Sequence, residues 1–380
     1  MKSPQHMLVV VGARPQFIKA AALHRALRSS GRWESTWLHT GQHHDDALSA
    51  QFFRELELPD VDVSLTPRAT SREWRLGDMM HGIRSAIREH SPGWVLVFGD
   101  TDSTLAGAWA AAAEGVPLVH VEAGLRSFDW SMPEEINRVL TDRLSHVLVC
   151  PTEAAVANLT SEGLVDRVVS VPHGARPSVL RTGDVMHDNA LYFGNRWPEE
   201  LRGSGAVFLT MHRPSNVDDA DRLRAWMRSI GTWLQDQGRT ALFPVHPRTK
   251  ATFDASWNGW KKDLHHMQIE AVHPLGYLDT LQALCEAPLV LTDSGGVQKE
   301  AYSLGTRCVV LRANTEWVEQ IERGHSVLVG QPEELAAAAF SLLSQGRFKT
   351  DDLYGTGQSA FDILRCLEDL SESKRPLLRD

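Results

Sequence analysis

An α/β protein of two doubly wound, parallel-stranded domains with a ligand cleft between them is what the sequence predicts, from three observations. Short apolar or β-branched runs alternate with longer stretches of helical periodicity, the spacing that builds parallel sheets. The chain of 380 residues exceeds one ordinary core and suits two domains of about 150 to 200 residues each. The two halves also echo each other. Val95-Leu96-Val97-Phe98-Gly99-Asp100-Thr101-Asp102-Ser103 leads through an alanine-rich helix, Leu105 to Ala113, and Gly115 to the strand Leu118 to Val121. Leu289-Val290-Leu291-Thr292-Asp293-Ser294-Gly295-Gly296 opens a helix that stops at Gly305 before Val309 to Arg312. Each half sets Asp and small residues at a strand's carboxyl end, where open α/β sheets bind ligands.

The expected strands, in order, are Met7 to Val11, Trp94 to Phe98, Leu118 to Val121, Val147 to Val149, Val207 to Thr210, Ala241 to Val245, Leu289 to Thr292 and Val309 to Arg312. The less regular stretch His173 to Gly205 is expected to hold the junction, giving domains 1–175 and 176–358. Residues 359–380 form a last helix, with Phe361, Ile363, Leu364, Cys366 and Leu367 at helical spacing, and a charged tail from Ser371 that frays.

Composition excludes several classes. At 42% hydrophobic and 23% charged residues, with no apolar run near the roughly 18 that a membrane span needs, the chain neither spans nor anchors. The polar Met1 to His6 leads straight into an apolar strand and carries no signal-peptide pattern, so a cytoplasmic protein is expected. Cys150, Cys285, Cys308 and Cys366 are scattered without a CxxC pair and read as buried thiols, which leaves the sequon Asn158-Leu159-Thr160 without meaning. A net charge of −9 argues against nucleic acid as the main partner, so any anion must be held by a few placed cations.

Several clusters can carry chemistry. Gly12-Ala13-Arg14-Pro15-Gln16-Phe17-Ile18-Lys19 places Arg14 and Lys19 beside a helix N-terminus, a setting suited to phosphate. It is neither a GxGxxG fingerprint nor a Walker loop. In Asp293 to Glu300, the backbone at Gly295 and Gly296 and the Ser294 hydroxyl can hold a diphosphate, and Glu300 can accept from both ribose hydroxyls. Asp100, Glu122, Glu134 and Glu135 gather in the first half; Glu134 and Glu135 also suit the helix start behind Pro133 for structural reasons. Clustered carboxylates push one another's pKa values upward, toward about 6 to 7, and so serve as acid and base. Which of Glu134 and Glu135 faces the ligand stays open. In the second half, His212-Arg213 and His246 each follow a strand and can contact phosphate. His43-His44 and His265-His266 lack metal-ligand spacing, and no metal is expected.

Together these motifs resemble the non-hydrolysing UDP-N-acetylglucosamine 2-epimerase family over about residues 7 to 365. The matching stretches are Gly12 to Lys19, Thr40-Gly41-Gln42-His43, Gly99-Asp100-Thr101, His120 to Ser127, Pro133 to Arg138, Gly183-Asp184-Val185-Met186, His212-Arg213, Asp293 to Glu300 and Thr315-Glu316. The resemblance implies a GT-B-like fold, two Rossmann-like domains with the last helix returning to the first, and a homodimer. It implies removal of the C2 proton as UDP leaves C1, then re-addition of UDP to the 2-acetamidoglucal after reprotonation on the other face. By position, Asp100, Glu122 and Glu134 match the acid/base carboxylates. Arg14, Lys19, His212 and Ser294 to Gly296 match diphosphate contacts, with His212 counted among the catalytic groups. Glu300 matches the ribose carboxylate, and Arg138 and His246 match further pocket residues. The departing UDP is stabilised by hydrogen-bond donors, so no cofactor is expected.

The sequence departs from the family's pattern in places that bear on substrate preference. His-Arg-x-Glu-Asn becomes His212-Arg213-Pro214-Ser215-Asn216, Thr-Glu-Arg-Pro-Glu becomes Thr315-Glu316-Trp317-Val318-Glu319, and Lys299 replaces an acid beside Glu300. Gln42-His43-His44-Asp45 differs from the form found in members with a second, activating UDP-sugar site, so no such site is expected. A hydrolysing relative, releasing N-acetylmannosamine and UDP, would share every motif. A GT-B glycosyltransferase would share the fold but rarely three clustered carboxylates, and a non-catalytic sugar-nucleotide binder would have no use for them.

Overall fold

The structure is a computed structural model that describes residues 5–42, 53–164 and 177–372. His43 to Asp45, the start of the expected junction stretch and the tail beyond 372 lie outside the described residues. The chain divides into two compact units, residues 1–189 with 352–380, and residues 190–351.

The first unit holds a seven-stranded sheet in the order β3-β2-β1-β4-β5-β6-β7, all parallel. The strands are β1 (Gln5–Val11), β2 (Trp33–His39), β3 (Val63–Ser64), β4 (Trp94–Phe98), β5 (Leu118–Val121), β6 (Val147–Cys150) and β7 (Ser178–Arg181). The central strands are continuous apolar runs because helices cover both faces. The helix Asp102–Glu114 starts on Thr101, whose hydroxyl accepts from the Thr104 amide, and stops at Gly115 in the left-handed region. Its alanine face then packs closely beneath β1 and β4.

The second unit repeats the plan with six parallel strands in the order β10-β9-β8-β11-β12-β13. These are β8 (Val207–Thr210), β9 (Ala241–Pro244), β10 (Ile269–Val272), β11 (Val290–Thr292), β12 (Cys308–Val310) and β13 (Ser326–Leu328). The helix Ala220–Asp236 begins at Asp219, which accepts from the Asp221 and Arg222 amides. It buries Leu223, Trp226, Met227, Ile230, Trp233 and Leu234 along one face.

The last helix, Ser359–Glu372, packs on Arg14–Ser30 of the first unit, with Ile363, Leu364 and Leu367 buried and Trp33 Nε1 donating to Glu368 Oε1 at 3.1 Å. Phe361, expected on that buried face, is exposed instead. Two Rossmann-like domains with the last helix on the first make the fold GT-B-like.

The junction expected at 175/176 lies at 189/190, and the chain re-enters the first unit at 352 rather than 359. The stretch read as irregular contains β7, which extends the first sheet beside β6, and the start of the helix Val185–Gly194. That start is tied to the returning segment, since the Asp184 amide donates to the Tyr354 carbonyl at 2.9 Å and the Ala360 amide to Asp188 Oδ2 at 2.8 Å. Among the described residues no helix is long and apolar enough to cross a membrane, and the four cysteines are unpaired.

Candidate functional site

In both units the strand order reverses beside the first strand, between β1 and β4 and between β8 and β11, so each sheet has a switch point at which the following loops part. The predicted residues follow these strands and their neighbours β5 and β9.

In the first unit, Gln16 stitches the loops together. Its side-chain oxygen accepts from the Gly12 and Ala13 amides at 2.8 and 3.1 Å, and its nitrogen donates to the Phe98 carbonyl at 3.0 Å. Arg14 is exposed at the end of β1, whereas Lys19 is buried and pairs with Glu122. Lys19, expected at a diphosphate, is paired within its own unit with a carboxylate. Glu122 has a φ of 72°, a left-handed conformation that costs a non-glycine residue about 1 to 2 kcal/mol. Such strain is characteristic of functional positions. Asp100 pairs with Arg138, whose other nitrogen donates to Glu135 at 2.9 Å. Gly99, also left-handed, lies so close that a Cβ there would come within 2.8 Å of Lys19 Nζ and 3.3 Å of Glu122 Oε2. The backbone carrying Asp100 therefore abuts the Lys19–Glu122 pair.

The expected crowd of mutually repelling carboxylates is not what forms, because cations separate them: Arg138 on Asp100, Lys19 on Glu122 and Arg72 on Asp102. Arg72 Nε reaches both Asp102 oxygens at 3.1 and 3.0 Å. Burial pushes the Asp102 carboxyl up, but the bonds from Arg72 and Asn137 outweigh it and hold the pKa below the ordinary value.

The geometry separates Glu134 from Glu135. Glu135 is buried and accepts from the Ser127 amide (2.9 Å) and hydroxyl (2.8 Å), the Phe128 amide (3.0 Å) and Arg138. Burial raises its pKa, and these donors together bring it below the usual glutamate value. Glu134, on the same first turn, is exposed. One carboxylate is spent on structure and the other is available.

In the second unit the organising residue is Asp293, fully buried at the end of β11. Its carboxylate accepts from the His212 amide (2.9 Å), the Arg213 amide (2.9 Å) and Asn216 Nδ2 (3.1 Å), fixing the loop after β8. His212 and His246 lie ring to ring with centroids 5.1 Å apart. Burial lowers the pKa of each against the pull of Asp293, with Arg248 adding to the lowering. Both rings are therefore neutral at pH 7.

Ser294 caps the helix Gly295–Ser303, and Glu300 is buried on that helix. A Cβ on Gly295 would overlap Glu316 Oε1, the end of a part-exposed side chain that would have to shift; a Cβ on Gly296 would meet nothing within 4 Å. Glu316 is in turn held by Arg312 at 2.8 Å. Two departures noted in the sequence meet here, with Lys299 Nζ lying 4.5 Å over the Trp317 ring, a cation–π contact.

Gln16 and Asp293 are the organising residues to which the sequence reading gave no role. Asp293 had a usable signal, a carboxylate ending a buried strand ahead of Ser-Gly-Gly; a lone Gln16 in a first turn had none.

Residues 25–368 match the family model described as UDP-N-acetylglucosamine 2-epimerase. The chain belongs to that family. It is 39% identical over 369 residues to the UDP-2,3-diacetamido-2,3-dideoxy-D-glucuronate 2-epimerase of Pseudomonas aeruginosa, covering 96% of this chain and 99% of that one. It is 35% identical over 363 residues to the UDP-N-acetylglucosamine 2-epimerase of Methanocaldococcus jannaschii, covering 94% and 98%. The crystal structure of the M. jannaschii epimerase with UDP-GlcNAc and UDP superposes with a TM-score of 0.79 at 34% identity, over 96% of this chain and all of that one. A putative epimerase of the family from Listeria monocytogenes gives 0.81 at 27% identity, covering 98% of each chain. Among the described residues no group of three or more His, Cys, Asp or Glu is placed to hold a metal ion.

Proposed function

We propose that this epimerase-family chain interconverts UDP-N-acetylglucosamine and UDP-N-acetylmannosamine by inversion at C2. The C2 proton of such a sugar has no adjacent carbonyl to take up charge, so simple deprotonation is too costly. Expulsion of UDP from C1 removes that problem by forming the neutral 2-acetamidoglucal. Return of a proton to the opposite face of C2 and re-addition of UDP complete a redox-neutral cycle that needs no cofactor.

In this reading Asp100, Glu122 and Glu134 are the groups that take and return the C2 proton. Lys19 orients Glu122, and Arg138 orients Asp100. The departing diphosphate is received by Arg14, by neutral His212 and by the backbone and hydroxyl at Ser294 to Gly296, while Glu300 takes the ribose and His246 completes the pocket. The observation that carries the reading is the pairing in the first unit, where Asp100 and a strained Glu122 are delivered to one switch point, each with its own cation. A cytoplasmic homodimer belongs to the same proposal, and light scattering would test the dimer.

The test is turnover of Asp100→Asn and Glu122→Gln. Each should lose at least about 100-fold in interconversion, the scale of general acid–base catalysis, while still binding UDP. Turnover within about threefold of the parent in both would end the assignment. A second substrate has support from the P. aeruginosa relative, and kcat/KM for the diacetamido-glucuronate nucleotide, measured alongside, decides between them.

A further inference from the structure

We propose that the buried pair His120–Asp142 is a positioning device that holds the Asp100 loop and the Glu122 turn in fixed relation, so that elimination and reprotonation stay coupled. It rests on the reading of Asp100 and Glu122 as the C2 acid/base groups.

His120 and Asp142 are both fully buried, the first in β5 and the second near the end of the helix Pro133–Leu144. His120 Nε2 lies 2.7 Å from the Gly99 carbonyl, which can only accept, so Nε2 donates to the backbone next to Asp100. Nδ1 lies 2.7 Å from Asp142 Oδ1. The other Asp142 oxygen accepts from the Gly124 amide at 3.2 Å, two residues past Glu122, and from Arg126 Nη2 at 2.8 Å. Arg126 continues to Glu162 at 2.6 Å. One side chain thus reaches the backbone beside the first carboxylate, and its partner reaches the turn that carries the second. Burying so many charges is costly, and they stay in place because each is bonded; removing one link leaves its partners unsatisfied. His120 and Asp142 are buried beneath the loops they brace, so they act through Asp100 and Glu122.

The consequence is specific to the chemistry. In the first half-reaction the C2–H and C1–O bonds break, the C1=C2 bond forms, a carboxylate keeps the proton and UDP leaves with the electron pair. If the second carboxylate is misplaced, UDP and 2-acetamidoglucal escape before reprotonation, and together they account for every atom of the substrate.

The test compares His120→Asn, which keeps a nitrogen near Asp142 and drops the Gly99 bond, with His120→Gln, which does the reverse, and with Asp142→Asn. The readout is the ratio of released glucal to epimer per turnover, followed by NMR, beside the Kd for UDP. That ratio does not depend on how much of a preparation is folded. We expect it to rise at least about tenfold, with epimer formation down at least about tenfold and UDP affinity within about twofold. Ile83→Ala, a buried change in the core cluster beneath β1 and β4, serves as the control: it should lower Tm and leave the ratio unchanged. An unchanged ratio in all three variants, or an equal rise in Ile83→Ala, overturns the proposal. If Asp100→Asn and Glu122→Gln keep turnover, the parent assignment has failed instead.

Discussion

Exchanging the two neighbouring glutamates for glutamine should separate structure from chemistry. In Glu135→Gln one carboxylate oxygen becomes an NH2 group. With the remaining oxygen facing the Ser127 amide and hydroxyl, that NH2 is turned toward the Phe128 amide, 3.0 Å from the replaced atom. An orphaned buried amide costs about 1 to 3 kcal/mol, and loss of the charge facing Arg138 adds about 1, for a total of about 2 to 4 kcal/mol. For a unit of this size that lowers Tm by about 5 to 15 °C. Because the Glu135 pKa is held below its ordinary value, its contribution is present above the usual glutamate pKa of about 4.3 and is lost as pH falls through the folded value. Glu135→Gln should therefore also flatten the acid limb of stability. Exposed Glu134→Gln should change stability by no more than about 0.5 kcal/mol and reduce turnover at least about 100-fold. Thermal scans from pH 3 to 7 with a coupled turnover assay read both. Equal Tm losses in the two variants, or full turnover in Glu134→Gln, would refute the division of roles.

Gly296→Ala should fold normally and weaken UDP binding at least about tenfold by calorimetry, because its Cβ enters space that is open in the structure. His212 and His246 should titrate by NMR with midpoints below the ordinary 6.5, since burial lowers both; a midpoint at or above 6.5 contradicts the neutral donors. Burial, with Asp184 nearby, pushes the Asp188 carboxyl up to about 6, so the stability it supplies when protonated is present at low pH and lost as pH rises through about 6. Urea midpoints at pH 5 and 7 should show that loss in the parent and little of it in Asp188→Asn.

The strands legible in the sequence were those buried on both faces, such as Met7 to Val11 and Trp94 to Phe98, because nothing but a covered parallel sheet needs so unbroken an apolar run. Those it concealed lie toward the sheet edges: Trp33–His39 mixes Glu, Ser and Thr among its tryptophans, Ile269–Val272 is four residues long and carries an exposed glutamate, and Ser326–Leu328 is three residues long. β7 was hidden in the same way and moved the junction. The loops that carry the candidate site residues were legible because glycine, aspartate and small hydroxyl residues cluster at strand ends. The bonds that hold those loops were not, since Gln16 reaches Phe98 across 82 positions and Asp293 reaches His212 across 81. No local pattern encodes such a partner, and the Lys19–Glu122 pair was hidden in the same way.

The most direct measurement is a proton NMR time course of the purified protein with UDP-N-acetylglucosamine in deuterated water. Appearance of UDP-N-acetylmannosamine carrying deuterium at C2 is the result expected. Free N-acetylmannosamine with UDP, or an unchanged spectrum while UDP binding is demonstrable, would contradict reversible epimerisation of this substrate.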